Sequence, residues 1–107
     1  MTAKAYLRFV TLTNAIEVPC DPTALRVLDA VAITPKLMKV SDVMRLSHLG
    51  SSATIHRKIA DLVDDGMIIL VHPDDDLRTK YVHLTDLAWG YLDSLGAALI
   101  ASAGGEA

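Results

Sequence analysis

The chain has 107 residues, 51% of them apolar and only five aromatic. It therefore reads as one globular domain with a core of Leu, Ile, Val, Ala and Met, not as a disordered segment. A net charge of −3 argues against a protein that coats nucleic acid through bulk charge, and a single cysteine, Cys20, excludes a disulfide framework and a cysteine-cluster metal site while suiting a reducing cytoplasm.

Met1-Thr2-Ala3-Lys4 runs into Tyr6-Leu7-Arg8-Phe9 without a long apolar core, so no signal peptide is expected. Tyr6, Phe9, Val10, Thr13 and Ile16 fit a helix over 4–18, although Tyr6 to Thr11 also reads as a strand. Asp21-Pro22 supplies an N-cap followed by proline at the first helical position, and Leu25, Leu28 and Val31 continue at helical spacing. Thr34-Pro35 stops this helix, giving 21–33. Ser41 can cap a short helix through Leu46 that offers Val43, Met44 and Leu46 to the core, and Ser47-His48-Leu49-Gly50 reads as a turn. Ser51 or Ser52 starts a second helix with an apolar stripe of Ile55, Ile59, Leu62 and Val63. Gly66 stands where a helix-ending glycine adopts positive φ, so 41–66 is a helix-turn-helix. Met67 to Val71 and Lys80 to Leu84 are β-rich runs about the turn residues Pro73-Asp74-Asp75-Asp76, which predicts a hairpin over 67–84. Thr85 can cap a last helix over 86–102, and residues 104–107 read as a frayed tail beyond a single domain of residues 1–103.

Charge is unevenly distributed. Residues 36–58 carry Lys36, Lys39, Arg45, Arg57 and Lys58 against Asp42 alone, whereas residues 59–107 carry two bases against nine acids. A basic block in an acidic chain marks either a solvated helix face or a contact with a polyanion.

Helix, helix-turn-helix and hairpin in this order resemble the MarR-type winged helix-turn-helix transcription regulators over about residues 39–95. Ser52-Ala53-Thr54-Ile55-His56-Arg57 is similar to the start of that family's recognition helix, Leu62 with Gly66 to its Leu-x-x-x-Gly ending, Asp76-Leu77-Arg78 to the Asp-x-Arg of its wing, and Leu84-Thr85 to the opening of its next helix. Ala88 stands where the family often has glycine and Lys58 where it often has an apolar residue. The resemblance implies an α+β, mainly helical fold with a two-stranded wing and flanking N- and C-terminal dimerisation helices.

A helix fits the major groove with its N-terminal side chains at base edges. Once Ile55, Ile59 and Leu62 face the core, Ser51, Ser52, Thr54, His56, Arg57 and Lys58 are read as facing outward. Arg57 suits a bidentate contact to guanine, while Lys58 and Lys39 suit phosphates. Arg78 near the wing tip can enter the minor groove, although Asp74, Asp75 and Asp76 oppose it unless turned inward, and Asp76 can cap the loop and pair with Arg78. His48, His56, His72 and His83 lack metal-ligand spacing, and no nucleophile elbow or phosphate loop is present, so neither a metal, a cofactor nor an enzyme is expected. Cys20 precedes a helix N-terminus, which lowers a thiol pKa, but a lone cysteine more often serves as a small buried hydrophobe.

From Leu87 to Ala103 the last helix carries one charge, Asp93, and it is too rich in small residues for a membrane span. Gly90, Ser94, Ala97 and Ala101 form a small-residue stripe beside Leu92, Leu95 and Leu99. The predicted interface is the same helix of a second subunit, with packing on the N-terminal helix of its own chain as the alternative. The sequence thus predicts a cytoplasmic, homodimeric regulator that binds double-stranded DNA, with a winged-helix protein-interaction module as the rival. No distinctive polar cluster marks a small-molecule effector site.

Overall fold

The computed structural model describes residues 2–104, as helices α1 (Thr2–Thr13), α2 (Pro22–Ile33), α3 (Val40–Met44), α4 (Ser52–Asp64) and α5 (Asp86–Gly104), strands β1 (Met38–Lys39), β2 (Ile68–Val71) and β3 (Tyr81–Leu84), and a 3₁₀ turn at Ser47–Leu49. This is the α+β, mainly helical winged-helix fold that the sequence implies. Two compact units arise: Pro19–Ala88 is one, and the described residues on either side of it form the other.

In the central unit, each helix boundary has a local chemical cause. The Asp21 carboxylate accepts from the Ala24 N–H at 2.9 Å and so caps α2, with Pro22 at its start. At its end Thr34 is extended, as a residue before proline must be, and its hydroxyl donates to the Ala30 carbonyl at 2.8 Å. Ser51 caps α4 by accepting from the Thr54 N–H at 3.1 Å. Gly66 closes α4 with φ +76°. Its N–H donates to Val63, and the Met67 N–H donates to Leu62. That pair of bonds is a Schellman motif, sealed by Leu62 and Met67, both fully buried.

The unit's core joins Ala24, Val27, Leu28 and Val31 of α2 to Ile55, Ile59 and Leu62 of α4, with Val43, Leu49, Met67, Ile68 and Val82 around them. Burying each such large aliphatic side chain contributes about 1.5–3 kcal/mol. The sheet is antiparallel in the order β1-β3-β2, with Leu70 opposite Val82 and Met38 opposite Val82 on the other edge. The two-stranded wing thus gains a third strand, β1, which at two residues is too short to show any alternation in sequence. Thr85 caps α5 as expected. Its hydroxyl accepts from the Ala88 N–H at 3.2 Å and donates to the Gly66 carbonyl at 2.6 Å, tying the start of α5 to the end of α4.

The other unit comprises α1 and the part of α5 from Trp89 onward. The strand alternative for α1 is not realised. The helix stops at Thr13, short of residue 18, where the Thr13 hydroxyl bonds back to the Val10 carbonyl at 3.1 Å and a turn follows through Ile16. Arg8 donates from Nη1 to the Ser102 carbonyl at 3.0 Å. Of the predicted tail, Gly104 belongs to α5 and residues 105–107 lie outside the described residues.

Candidate nucleic-acid interface

The sequence of α4 divides its surface. Ile55, Ile59 and Leu62 are buried, whereas Ala53, His56, Arg57 and Ala60 are exposed. At about 100° per residue, Arg57 lies nearly opposite the core stripe. Ser51 is the cap. Its hydroxyl also donates to Thr54 Oγ1 at 3.0 Å, so these two side chains serve the start of the helix. Ser52 is exposed and reaches the Met44 carbonyl of α3 at 3.5 Å.

Lys58 sits differently from its neighbours. Its ammonium donates to Asp21 Oδ2 at 2.9 Å and lies 3.7 Å from Asp61, with the side chain 24% exposed. The Ala24 N–H and then the Lys58 ammonium hold the Asp21 carboxyl below the usual carboxylate range, and Asp21 raises the Lys58 pKa in turn.

A cleft of about 530 Å³ opens between α3, α4 and the wing, lined by Lys39, Ser41, His56, Arg78 and Lys80 among others. It brings three of the predicted residues, Lys39, His56 and Arg78, to one place. Ser41 and Lys80 were not foreseen there. The N-cap of α3 is Lys39, not Ser41, which leaves Ser41 exposed in the first turn. Arg78 lies in the turn of the wing and Lys80 directly before β3, so no strand alternation in the sequence links the two.

One of the three wing aspartates turns inward. Asp76 accepts from the Arg78 N–H at 2.9 Å and the Thr79 hydroxyl at 2.5 Å, and these two bonds, the hydroxyl's first, hold its carboxyl below the usual range. Asp76 thus caps the loop and holds Arg78 by its backbone. Asp74 and Asp75 are exposed at the tip. His72 Nδ1 lies 3.0 Å from the Thr79 carbonyl, and His83 pairs in register with Ile69. Among the described residues no three His, Cys, Asp or Glu side chains converge as metal ligands. Burial, reinforced by Asp65, Asp21 and Asp29, pushes the Cys20 thiol up to about 11, so burial and the local carboxylates together outweigh the helix N-terminus.

On α5, Gly90, Ser94, Ala97 and Ala101 are all exposed, and Ser94 donates to the Gly90 carbonyl at 3.0 Å. Leu92 and Leu95 are half-buried, while Leu99 is 59% exposed and lines an apolar groove of about 320 Å³ with Ala5, Tyr6 and Phe9 of α1. No helix among the described residues is long and apolar enough to cross a membrane.

No family model and no curated protein matches the chain. Solved structures do. A probable transcriptional regulator from Pseudomonas aeruginosa superposes with a TM-score of 0.63 at 25% identity, over 99% of this chain and 81% of that one. The PcaV transcriptional regulator from Streptomyces coelicolor, in complex with its natural ligand, gives 0.60 at 20% identity over 94% and 68%. Overoxidized AbfR bound to DNA gives 0.61 at 16% identity over 94% and 71%. The chain has the MarR-type winged-helix fold. On this MarR-type frame α3 and α4 form the helix-turn-helix, with α4 as its second helix, and the loop between β2 and β3 is the wing. The basic cleft lies where that helix and that wing meet.

Proposed function

We propose that this chain is a cytoplasmic transcription regulator that binds duplex DNA sequence-specifically as a homodimer, with α4 in the major groove and the wing near the minor groove. The observation that carries the reading is the cleft in which Lys39, His56, Arg78 and Lys80 converge beside the exposed face of α4. Arg57, at the centre of that face, has the reach for the two acceptors of a guanine edge. Lys39 and Lys80 meet phosphates. Arg78, held by the Asp76 cap, is presented to the minor groove. The DNA-bound neighbour of the same fold supports DNA as the ligand class.

A homodimer is supported by the helices outside the central unit. α1 buries none of its residues, and the small-residue stripe of α5 is open along its length. Close approach of the same stripe from a second copy would cover both. A twofold axis then delivers two recognition helices to successive major grooves, so the target is an inverted repeat with half-sites about one helical turn apart.

The test is titration of a duplex selected from a random pool, across a salt series. Two phosphate contacts per subunit, from Lys39 and Lys80, give a log–log salt slope of about −3.6 for the dimer. Arg57→Ala should cost about 1–3 kcal/mol on the selected duplex and spare random duplex. Absence of salt-dependent duplex binding would favour a protein-interaction module, the reading to which the acidic total of the chain points.

A further inference from the structure

Lys58 was expected among the outward-facing DNA contacts, and its geometry argues otherwise. At about 100° per residue it lies only about 70° from the centre of the Ile55–Ile59–Leu62 stripe, on the flank of α4 that packs against α2. Two carboxylates, those of Asp21 and Asp61, surround its ammonium, so the cluster offers a phosphate no net positive charge. Asp21 divides its two oxygens between two helices. Oδ1 accepts from the Ala24 N–H and caps α2, and Oδ2 accepts from Lys58 Nζ and holds α4.

The apolar burial between α2 and α4 carries no directional bond of its own. A directional bond at the edge of that contact fixes the setting of one helix on the other. We infer that Lys58 is a positioning residue: through Asp21 it sets the recognition helix on α2, and it makes no phosphate contact. This rests on the DNA-binding reading of α4.

The test uses the full chain with Lys58→Met, Asp21→Asn and the double variant. Met keeps stem length and helix propensity, and Asn keeps the N-cap while removing the charge. Each single variant should weaken binding to the selected duplex by roughly two- to fivefold, the double variant should be no worse than the weaker single, and the salt slope should stay at the wild-type value. Lys58→Arg should bind within twofold of wild type, about the spread of a conserved ion pair. A phosphate contact gives the opposite pattern: Lys58→Met lowers the slope by about 0.9 per subunit, and Asp21→Asn strengthens binding by freeing the lysine. That pattern, or unchanged affinity in both single variants, overturns the inference. Thermal unfolding of the four DNA-free proteins gives an independent decision. Each single change should lower Tm by about 2–4 °C with strongly non-additive effects in the double variant, and additive losses would overturn the bridge. Were the wild type to bind no duplex, the functional reading would fail while the unfolding cycle still judged the bridge.

Discussion

α1 and α2 are each twelve residues long, yet α2 buries Ala24, Val27, Leu28 and Val31 whereas α1 buries nothing. The same contrast separates α4 from α5. α4 is sharply two-faced, with Ile55, Ile59 and Leu62 inside and Arg57 outside, while α5 leaves Trp89, Leu99 and Ile100 at 48%, 59% and 75% exposure. The central unit closes its core within one chain because three layers of elements, α2, α4 and the sheet, enclose the same side chains. Among the described residues of the other unit only Ala98 and Ser102 are buried, so most apolar side chains of its two helices stay open. One region closes its core within the chain, and the other leaves most of its apolar surface open.

The largest expected effect tests that contrast directly. Leu62→Ala removes a fully buried side chain of the closed core and should lower unfolding free energy by about 2–5 kcal/mol at any protein concentration. Leu99→Ala removes a side chain 59% exposed in the single chain. Its effect in an isolated chain should stay within about 0.5 kcal/mol. In a dimer the loss should grow with protein concentration, because the wild-type contact exists only in the assembled state. Unfolding of both variants across a hundredfold concentration range, an interval of about 2.7 kcal/mol in mass action, reads the difference. A Leu99→Ala loss that is large and concentration-independent would mean that the groove on α1 is a closed core after all.

This contrast also governs what was legible in the sequence. Boundaries set by one or two residues could be read directly: Asp21-Pro22, Thr34-Pro35, Ser51, Gly66 and Thr85 each act where the chain chemistry places them. β1 could not be read, because two residues have no period and Met38–Lys39 becomes a strand only through pairing with Tyr81–Val82 from forty residues downstream. Lys58 could not be told from its outward neighbours by residue type, although its angular position puts it beside the core, where it pairs with Asp21. The cleft was half legible. Lys39, His56 and Arg78 were chosen for their separate elements, but their convergence depends on the fold of the wing. The small-residue stripe of α5 was legible as a pattern, and a single chain shows only that it is open.

Ala97→Leu sharpens the comparison from the side of the open region. Ala97 is exposed on the stripe with Gly90, Ser94 and Ala101, so a bulkier side chain has room in one chain and costs little in helix propensity. Should the stripe face a second copy, leucine there keeps the two backbones apart. The sedimentation coefficient should then shift toward that of a monomer, and affinity for an inverted repeat should fall on the order of a hundredfold as the half-sites lose their link. A variant that stays dimeric places the interface on another face of α5, and a wild type already monomeric at high concentration ends the inverted-repeat model.

The smallest effect concerns Cys20, which lies in the closed unit just before the cap of α2. Two influences compete at its thiol. A helix N-terminus stabilises a thiolate, whereas burial and the carboxylates of Asp65, Asp21 and Asp29 oppose it. The second set wins, burial foremost, and Asp21, which follows directly, already occupies the helix N-terminus with its own charge. With the folded pKa near 11 against 9.0 for the free thiol, the folded protein should react with iodoacetamide about a hundredfold more slowly than the denatured chain at neutral pH. The rate should climb about tenfold per pH unit until it levels near the folded pKa. The sign for stability follows from the same shift. The folded state holds the proton more tightly, so this contribution is complete below pH 9.0 and is lost as pH rises toward 11. Wild type should therefore lose Tm relative to Cys20→Ala only across that window, while duplex binding at neutral pH stays the same in both. Rapid alkylation of the folded chain at pH 7 would show instead that the N-terminus of α2 governs the thiol, and that the closed unit carries a reactive group in its wall.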